Sequence, residues 1–327
     1  MSKLGAVNMI KESNYVLIIG SSNIDLNIYV KRFPNHGETV TDGTFKQFFG
    51  GKGANQSVAS VRSGTKTIFI GKIGMDLYGD QMVSHLKDEG INMDFVFRDN
   101  QFPSGVAFIL IDENGENMIS VAPGANSKLN VKNVNDRENI IKNAKVVVVQ
   151  MEIPIDTIQQ IFKLASKGKT ITILNPAPLK PIPIDVFKNV DIIIPNEGEL
   201  YRLHSILDFK KINSKGKPKI IQTARDISSL GIKYIITTLG KKGCLLFQSK
   251  ENEFFEISSP KVKAVDTVGA GDCFIGVLAS MLNRGENILT AVKFASIAAS
   301  IAVTRKGAQE SMPFFNEIQE KFNKLEF

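Results

Sequence analysis

Short apolar runs rich in branched side chains recur along this chain with helical patterns between them, and that alternation constrains its fold more than any other feature. The runs span 15–19, 67–70, 146–149, 171–174, 192–194 and 234–237. Their apolar residues are continuous, so they read as strands buried on both faces, which requires a parallel sheet covered by helices. Helical spacing is predicted over 54–62, 78–89, 155–165, 197–207, 223–230, 271–283, 290–303 and 314–324. Right-handed βαβ units in one doubly wound, mainly parallel α/β domain are the expected architecture.

Two regions break this rhythm. Residues 24–30 with 38–49, and 94–97 with 105–112 and 117–121, alternate like half-covered strands, and Glu113-Asn114-Gly115-Glu116 carries the Asn-Gly signal of a hairpin. A small antiparallel β-sheet is therefore expected as an insertion over about 24–50 and 94–122, placed as a lid beside a cleft. Its apolar face needs cover, from closure over substrate or from a second subunit. The expected organisation is an extension over 1–14 and one α/β domain over 15–327.

With 327 residues, 43% of them hydrophobic, the chain can bury a large core, which excludes disorder as its main state. The net charge of +7 raises nucleic acid as a partner. Yet the lysines are scattered, and the one cluster, Lys210, Lys211, Lys215, Lys217 and Lys219, has no interleaved aromatics and reads as a solvated loop. The charge suits mild steering of anionic substrates instead. Cys244 and Cys273 form neither a disulfide framework nor a zinc pattern, so reducing cytosol is the expected compartment. The first 14 residues include Lys3, Lys11 and Glu12 without an apolar h-region, which argues against a signal peptide. No run reaches the ~18 apolar residues of a membrane span.

The chemistry concentrates in Ala264-Val265-Asp266-Thr267-Val268-Gly269-Ala270-Gly271-Asp272, which opens an apolar helical run. Free amides at such a helix start favour an anion. Asp272, in the first turn, is placed to take a proton from a hydroxyl while the amides hold charge on a transferred phosphoryl group. The alternative is a helix acid set favourably against the dipole, with the glycines merely turning a loop.

Further constellations follow, all but the one that enters the first long helix standing at predicted strand ends, where open α/β sheets bind ligands. Asn23 and Asp25, in Gly20-Ser21-Ser22-Asn23-Ile24-Asp25, offer donor and acceptor to a polyol, or else form an Asx-turn. Gly50-Gly51-Lys52-Gly53-Ala54-Asn55 is neither a Walker A loop nor a dinucleotide fingerprint, but it suits clamping several hydroxyls. Gln150-Met151-Glu152, Asn175-Pro176-Ala177-Pro178 and Pro195-Asn196-Glu197-Gly198-Glu199 close three more strands. Asn196 and Glu199 could hold water around Mg²⁺, could form a capping box, or both. Thr237-Thr238-Leu239-Gly240-Lys241-Lys242-Gly243 is a turn fit for nucleotide contact.

Taken in order, G-S-x-N-x-D, G-G-K-G-A-N-Q, N-P-A-P, P-N-E-x-E, T-L-G-x-x-G, D-T-V-G-A-G-D and A-V-T-R-K-G-A-Q resemble the PfkB family of carbohydrate kinases, from about Tyr15 to Ser311. The pairing of GGKGANQ with TRKGAQ points to its ribose-phosphorylating branch. This resemblance implies Asp272 as catalytic base and Gly269, Ala270 and Gly271 as the anion hole. It implies sugar contacts at Asn23, Asp25, Gly51, Lys52, Asn55 and Glu152. Nucleotide contacts are implied at Asn196, Thr238, Gly240, Gly243 and Gly271, with Ser296 on the adenine side, where the family often has His. Glu199 is implied in Mg²⁺ binding through water, and Asp266, Val268, Ala302, Arg305, Gly307 and Ser311 in binding an activating K⁺. The activity so implied is ATP-dependent phosphorylation of D-ribose at O5 by a homodimer paired through the lid sheets. The alternative is another family activity, on 2-deoxyribose, fructose or a nucleoside.

Overall fold

The computed structural model describes residues 14–325. The expected extension over 1–14 therefore falls, except for Asn14, outside the described residues. Strands β1 (Val16–Ile19), β2 (Asn23–Tyr29) and β3 (Thr44–Gly50) lead into helix α1 (Lys52–Arg62). Next come β4 (Thr67–Ile70), β5 (Lys72–Gly74), α2 (Leu77–Asp88), β6 (Phe97–Asp99), β7 (Gly105–Ile111) and β8 (Asn117–Ala122). The middle of the chain forms α3 (Val131–Asn135), α4 (Glu138–Lys142), β9 (Val146–Gln150), α5 (Ile155–Ala165), β10 (Ile171–Asn175), β11 (Ile192–Ile193) and α6 (Glu197–Ile206). It ends with α7 (Lys217–Ser228), β12 (Tyr234–Thr238), β13 (Cys244–Gln248), β14 (Glu253–Ile257), α8 (Ala270–Arg284), α9 (Ile288–Ala302) and α10 (Phe315–Asn323).

Eight strands form the main sheet in the order β14-β13-β12-β11-β10-β9-β1-β4. The pairs from β4 to β12 are parallel, and β13 and β14 add an antiparallel hairpin at one edge. Alternate residues of β1 and β9 feed two cores, one on each face. Val16, Ile18, Val146 and Val148 pack under α1, α8 and α9, while Leu17, Ile19, Val147 and Val149 pack under α5. This two-sided burial is what the continuous apolar runs anticipate.

The lid is a separate four-stranded sheet ordered β3-β2-β7-β8. It is mixed rather than purely antiparallel, because β2 runs parallel to β7. Residues 94–97, expected in the lid, instead lead into β6, which pairs with β5 in a two-stranded sheet of its own. The lysine cluster is only partly loop, since Lys217 and Lys219 open α7 with a proline in its first turn, a favoured helix start. Among the described residues no helix is long and apolar enough to cross a membrane.

Two helices approach unusually closely, and the site depends on their contact. Gly276, one turn beyond Asp272 on α8, lies against α1, where a Cβ added to it would stand 2.4 Å from the Gln56 carbonyl oxygen and 2.6 Å from Ala59 Cβ. Gly276→Ala should therefore destabilise the protein by ~1–2 kcal/mol, overpacking outweighing alanine's better helix propensity. Urea unfolding midpoints check this, and an unchanged midpoint would show that the helices have room to separate.

Candidate active site

Helix α8 begins at Gly269, whose left-handed backbone (φ 74°) turns the chain into the helix. Ala270 N–H is engaged with Thr267 O at 3.3 Å. Gly271 and Asp272 sit too early in the helix for their amides to find a carbonyl four residues back, so these are the donors left for an anion. The Asp272 carboxylate is buried and fixed at both oxygens. Asn55 Nδ2 donates to Oδ2 at 2.9 Å, and Gln56 Nε2 donates to Oδ1 at 2.9 Å. Lys52, at the start of the same helix α1, has its ammonium pKa raised, chiefly by the Asp272 charge and also by Glu152 and Glu199.

A cavity of about 160 Å³ lies at this helix start. Lys52, Asn196, Glu199, Thr238, Gly269, Gly271 and Asp272 line it, together with Asn175, Ala177, Ile194 and Ile275. The β10, β11 and β12 ends thus bring the predicted phosphate-side residues to one place, as the carboxyl edge of a parallel sheet requires. Asn196 and Glu199 form the capping box: Asn196 Oδ1 accepts from Glu199 N–H and a Glu199 carboxylate oxygen accepts from Asn196 N–H, both at 2.8 Å. Gly240 and Gly243 bound a short turn after β12, both with positive φ. Ser296 is buried within α9 and does not line this cavity.

A second group of predicted residues gathers beneath the lid. Asn23 and Asp25 lie two apart on β2, and Gly51 caps α1. Glu152, just beyond β9, accepts hydrogen bonds from Ser21 Oγ and, at 3.1 Å, from Lys52 N–H. Burial pushes the Asp25 carboxyl up to about 7, helped by the charges of Glu152, Glu310 and Asp272. Asn126 fixes the opposite side of Asn23: its Nδ2 donates to Asn23 Oδ1 at 2.8 Å, which leaves Asn23 with its NH₂ to offer a ligand.

The remaining predicted residues sit behind the glycine loop. Asp266 accepts from Val268 N–H and from Gly307 N–H, both at 3.0 Å, tying two loops together. Arg305 is paired with Glu317, while Ala302 and Ser311 are buried. Among the described residues no cluster of three or more His, Cys, Asp or Glu stands ready to hold a metal.

Sequence reasoning gave no role to Gln56, Gln150 and Gln309, although each lies in a stretch it singled out, and it missed Asn126; all four are buried and hydrogen-bonded to the predicted residues or to one another. The signals available were membership of those stretches for the three glutamines and, for Asn126, none.

The family model for pfkB family carbohydrate kinases matches residues 13–314. A ribokinase of Staphylococcus aureus is 37% identical over 310 residues, covering 94% of this chain and 99% of that protein. A deoxyribokinase of Salmonella typhi is 33% identical, covering 93% of this chain and 97% of its own. The structure of Arabidopsis thaliana ribokinase complexed with ribose and ATP superposes with a TM-score of 0.86 at 32% identity, over 94% of this chain and 97% of that one. By fold, by motif order and by this match over nearly its whole length, the chain belongs to the pfkB family of carbohydrate kinases.

Proposed function

We propose that this enzyme transfers the γ-phosphoryl group of ATP to O5 of D-ribose, and that residues 15–327 act as one kinase domain carrying the lid strands as an insertion. One observation carries the reading: a buried carboxylate, locked at both oxygens by side-chain amides, stands beside unpaired helix-start amides in a cavity that also holds a lysine. Asp272 accepts the proton of the sugar hydroxyl as that oxygen attacks phosphorus in line. The amides of Gly271 and Asp272, with Gly269 shaping the turn, stabilise the charge developing on the phosphoryl oxygens, and Lys52 neutralises it further. Asn23, Asp25, Gly51, Asn55 and Glu152 orient the sugar. The Thr238, Gly240 and Gly243 turn takes the nucleotide, with Ser296 toward the adenine.

The oxygen donors of Asn196 and Glu199 suit a Mg²⁺ that keeps its waters, and these residues would hold it through them. Held there, Mg²⁺ would supply neutralisation of the phosphate charge. Asp266, already bridging the loops of Val268 and Gly307, would with Ala302 at the end of α9, Arg305 and Ser311 hold an activating K⁺, which would order the glycine loop from behind. Lid closure excludes water and limits wasteful ATP hydrolysis. The outer lid face presents Phe45, Phe108 and Met118, each more than half exposed, and we propose that a second copy covers it. Sedimentation should give twice the chain mass, and Phe108→Asp should yield monomers.

Asp272→Asn should lower kcat by ~10²–10⁴. Near-normal turnover would remove the assignment. In the same coupled assay of ADP release, ribose should exceed 2-deoxyribose, fructose and nucleosides. The deoxyribokinase relative makes 2-deoxyribose the informative competitor, because a site that bonds the 2-hydroxyl rejects a sugar lacking it. Exchanging K⁺ for a bulky organic cation should depress activity.

Asp25 gives a pH test. Its folded pKa of about 7 stands above the ordinary 3.8, so the folded chain holds a proton that the unfolded chain releases. Its contribution to stability is complete below about pH 4 and is lost as pH rises through about 7. Asp25→Asn, with no proton to lose, should gain melting temperature relative to the native chain between pH 5 and 8. Parallel melting curves for the two proteins across that range would contradict the buried-acid account.

A further inference from the structure

Behind Asp272 a line of hydrogen bonds runs out toward the lid. Asp272 as a carboxylate only accepts, so the amide facing it at 2.9 Å is Asn55 NH₂. Asn55 Oδ1 then faces Gln309, whose Nε2 donates to it at 3.0 Å. Gln309 Oε1 is left to face His85 Nε2 at 2.8 Å, so that ring nitrogen must carry the proton. The His85 ring stacks flat on Phe49, with centroids 4.0 Å apart and planes 3° apart, and Phe49 belongs to lid strand β3. Gln309 itself is 1% exposed, and its backbone is clamped by Arg62 Nη1, which donates to Gln309 O at 2.8 Å and to Met312 O at 2.9 Å.

Three amide or imidazole groups in a row therefore have every polar direction dictated by the group before them. Reversing any one would place like against like in a buried setting. We propose that Gln309 and His85 are positioning residues for the phosphoryl-transfer step, holding Asn55, and through it Asp272, in the reactive orientation and tying that orientation to the lid strand carrying Phe49. This inference rests on Asp272 being the base. Because Gln56 still grips the other carboxylate oxygen, breaking the line loosens the base without freeing it, and small displacements of a reacting group cost up to about 10²-fold in rate.

The test separates the two contacts of His85. His85→Phe keeps the stack on Phe49 and removes the N–H donor, whereas His85→Gln keeps an amide donor and removes the stack. We expect His85→Phe to lower kcat about tenfold, with the KM for ATP within about twofold and the melting temperature little changed. His85→Gln should restore most of the lost rate. Gln309→Met, of similar shape, should lower kcat at least as far, and adding His85→Phe to it should cost nothing more, since both cut one line. Should Gln309→Met fail to fold, the two His85 variants decide alone. A wild-type kcat in His85→Phe, or fully additive losses in the double variant, would overturn the proposal. Asp272→Asn in the same assay keeps the two readings apart. If it is inactive while His85→Phe is normal, the positioning line fails and the base stands; if it is active, the base assignment itself fails.

Discussion

The contact between α1 and α8 is the constraint on which the site depends. One helix supplies the carboxylate and the amides at its own start, and the other supplies the two side-chain amides and the lysine that hold and balance that carboxylate. Backbone-close packing at Gly276 brings the helices near enough for Asn55 and Gln56 to reach Asp272. A second close approach secures α1 to the strand end beneath it, since a Cβ on Gly53 would stand 2.8 Å from the Ser21 backbone. The small residues of these motifs thus serve distance first and flexibility second.

Charge balance explains why acids crowd this pocket without disrupting it. Glu152, Glu310 and Asp272 are close enough to Asp25 to raise its proton affinity, and the acids are answered differently. Asp272 has its amides and the nearby lysine, and Glu152 has Ser21 Oγ and the Lys52 N–H. Asp25, without an equivalent partner and largely out of water, keeps its proton to about pH 7. In the proposed reading, the hydroxyls of a polyhydroxy ligand would supply the missing donors.

The legible parts of the fold are those in which burial alone determines the pattern. β1, β4 and β9 are buried from end to end, and β10 at all but its first residue, so their apolar runs located them closely, and the α5 bounds matched the expected 155–165. In the edge hairpin, β14 was missed because it begins and nearly ends in exposed glutamates and carries no clear period, and β13, although as apolar and buried as the strands that were found, was missed with it. α7 begins at Lys217-Pro218-Lys219, a composition that reads as loop although proline there starts the helix. At the site, motif residues were legible because they cluster in short stretches. The roles of Gln56 and Gln309, both motif residues, and of Asn126 were not, since they arise only from partners brought near by folding.

Those partners lie far apart along the chain. The bonds from Asn55 and Gln56 to Asp272 span 217 and 216 residues, and the bond from Gln309 to Asn55 spans 254. Only a fragment that runs at least from Asn55 to Gln309 contains this assembly. A nascent chain that stops before Asp272 has neither the carboxylate nor the helix start that Asn55 and Gln56 reach, so this arrangement can form only late in synthesis.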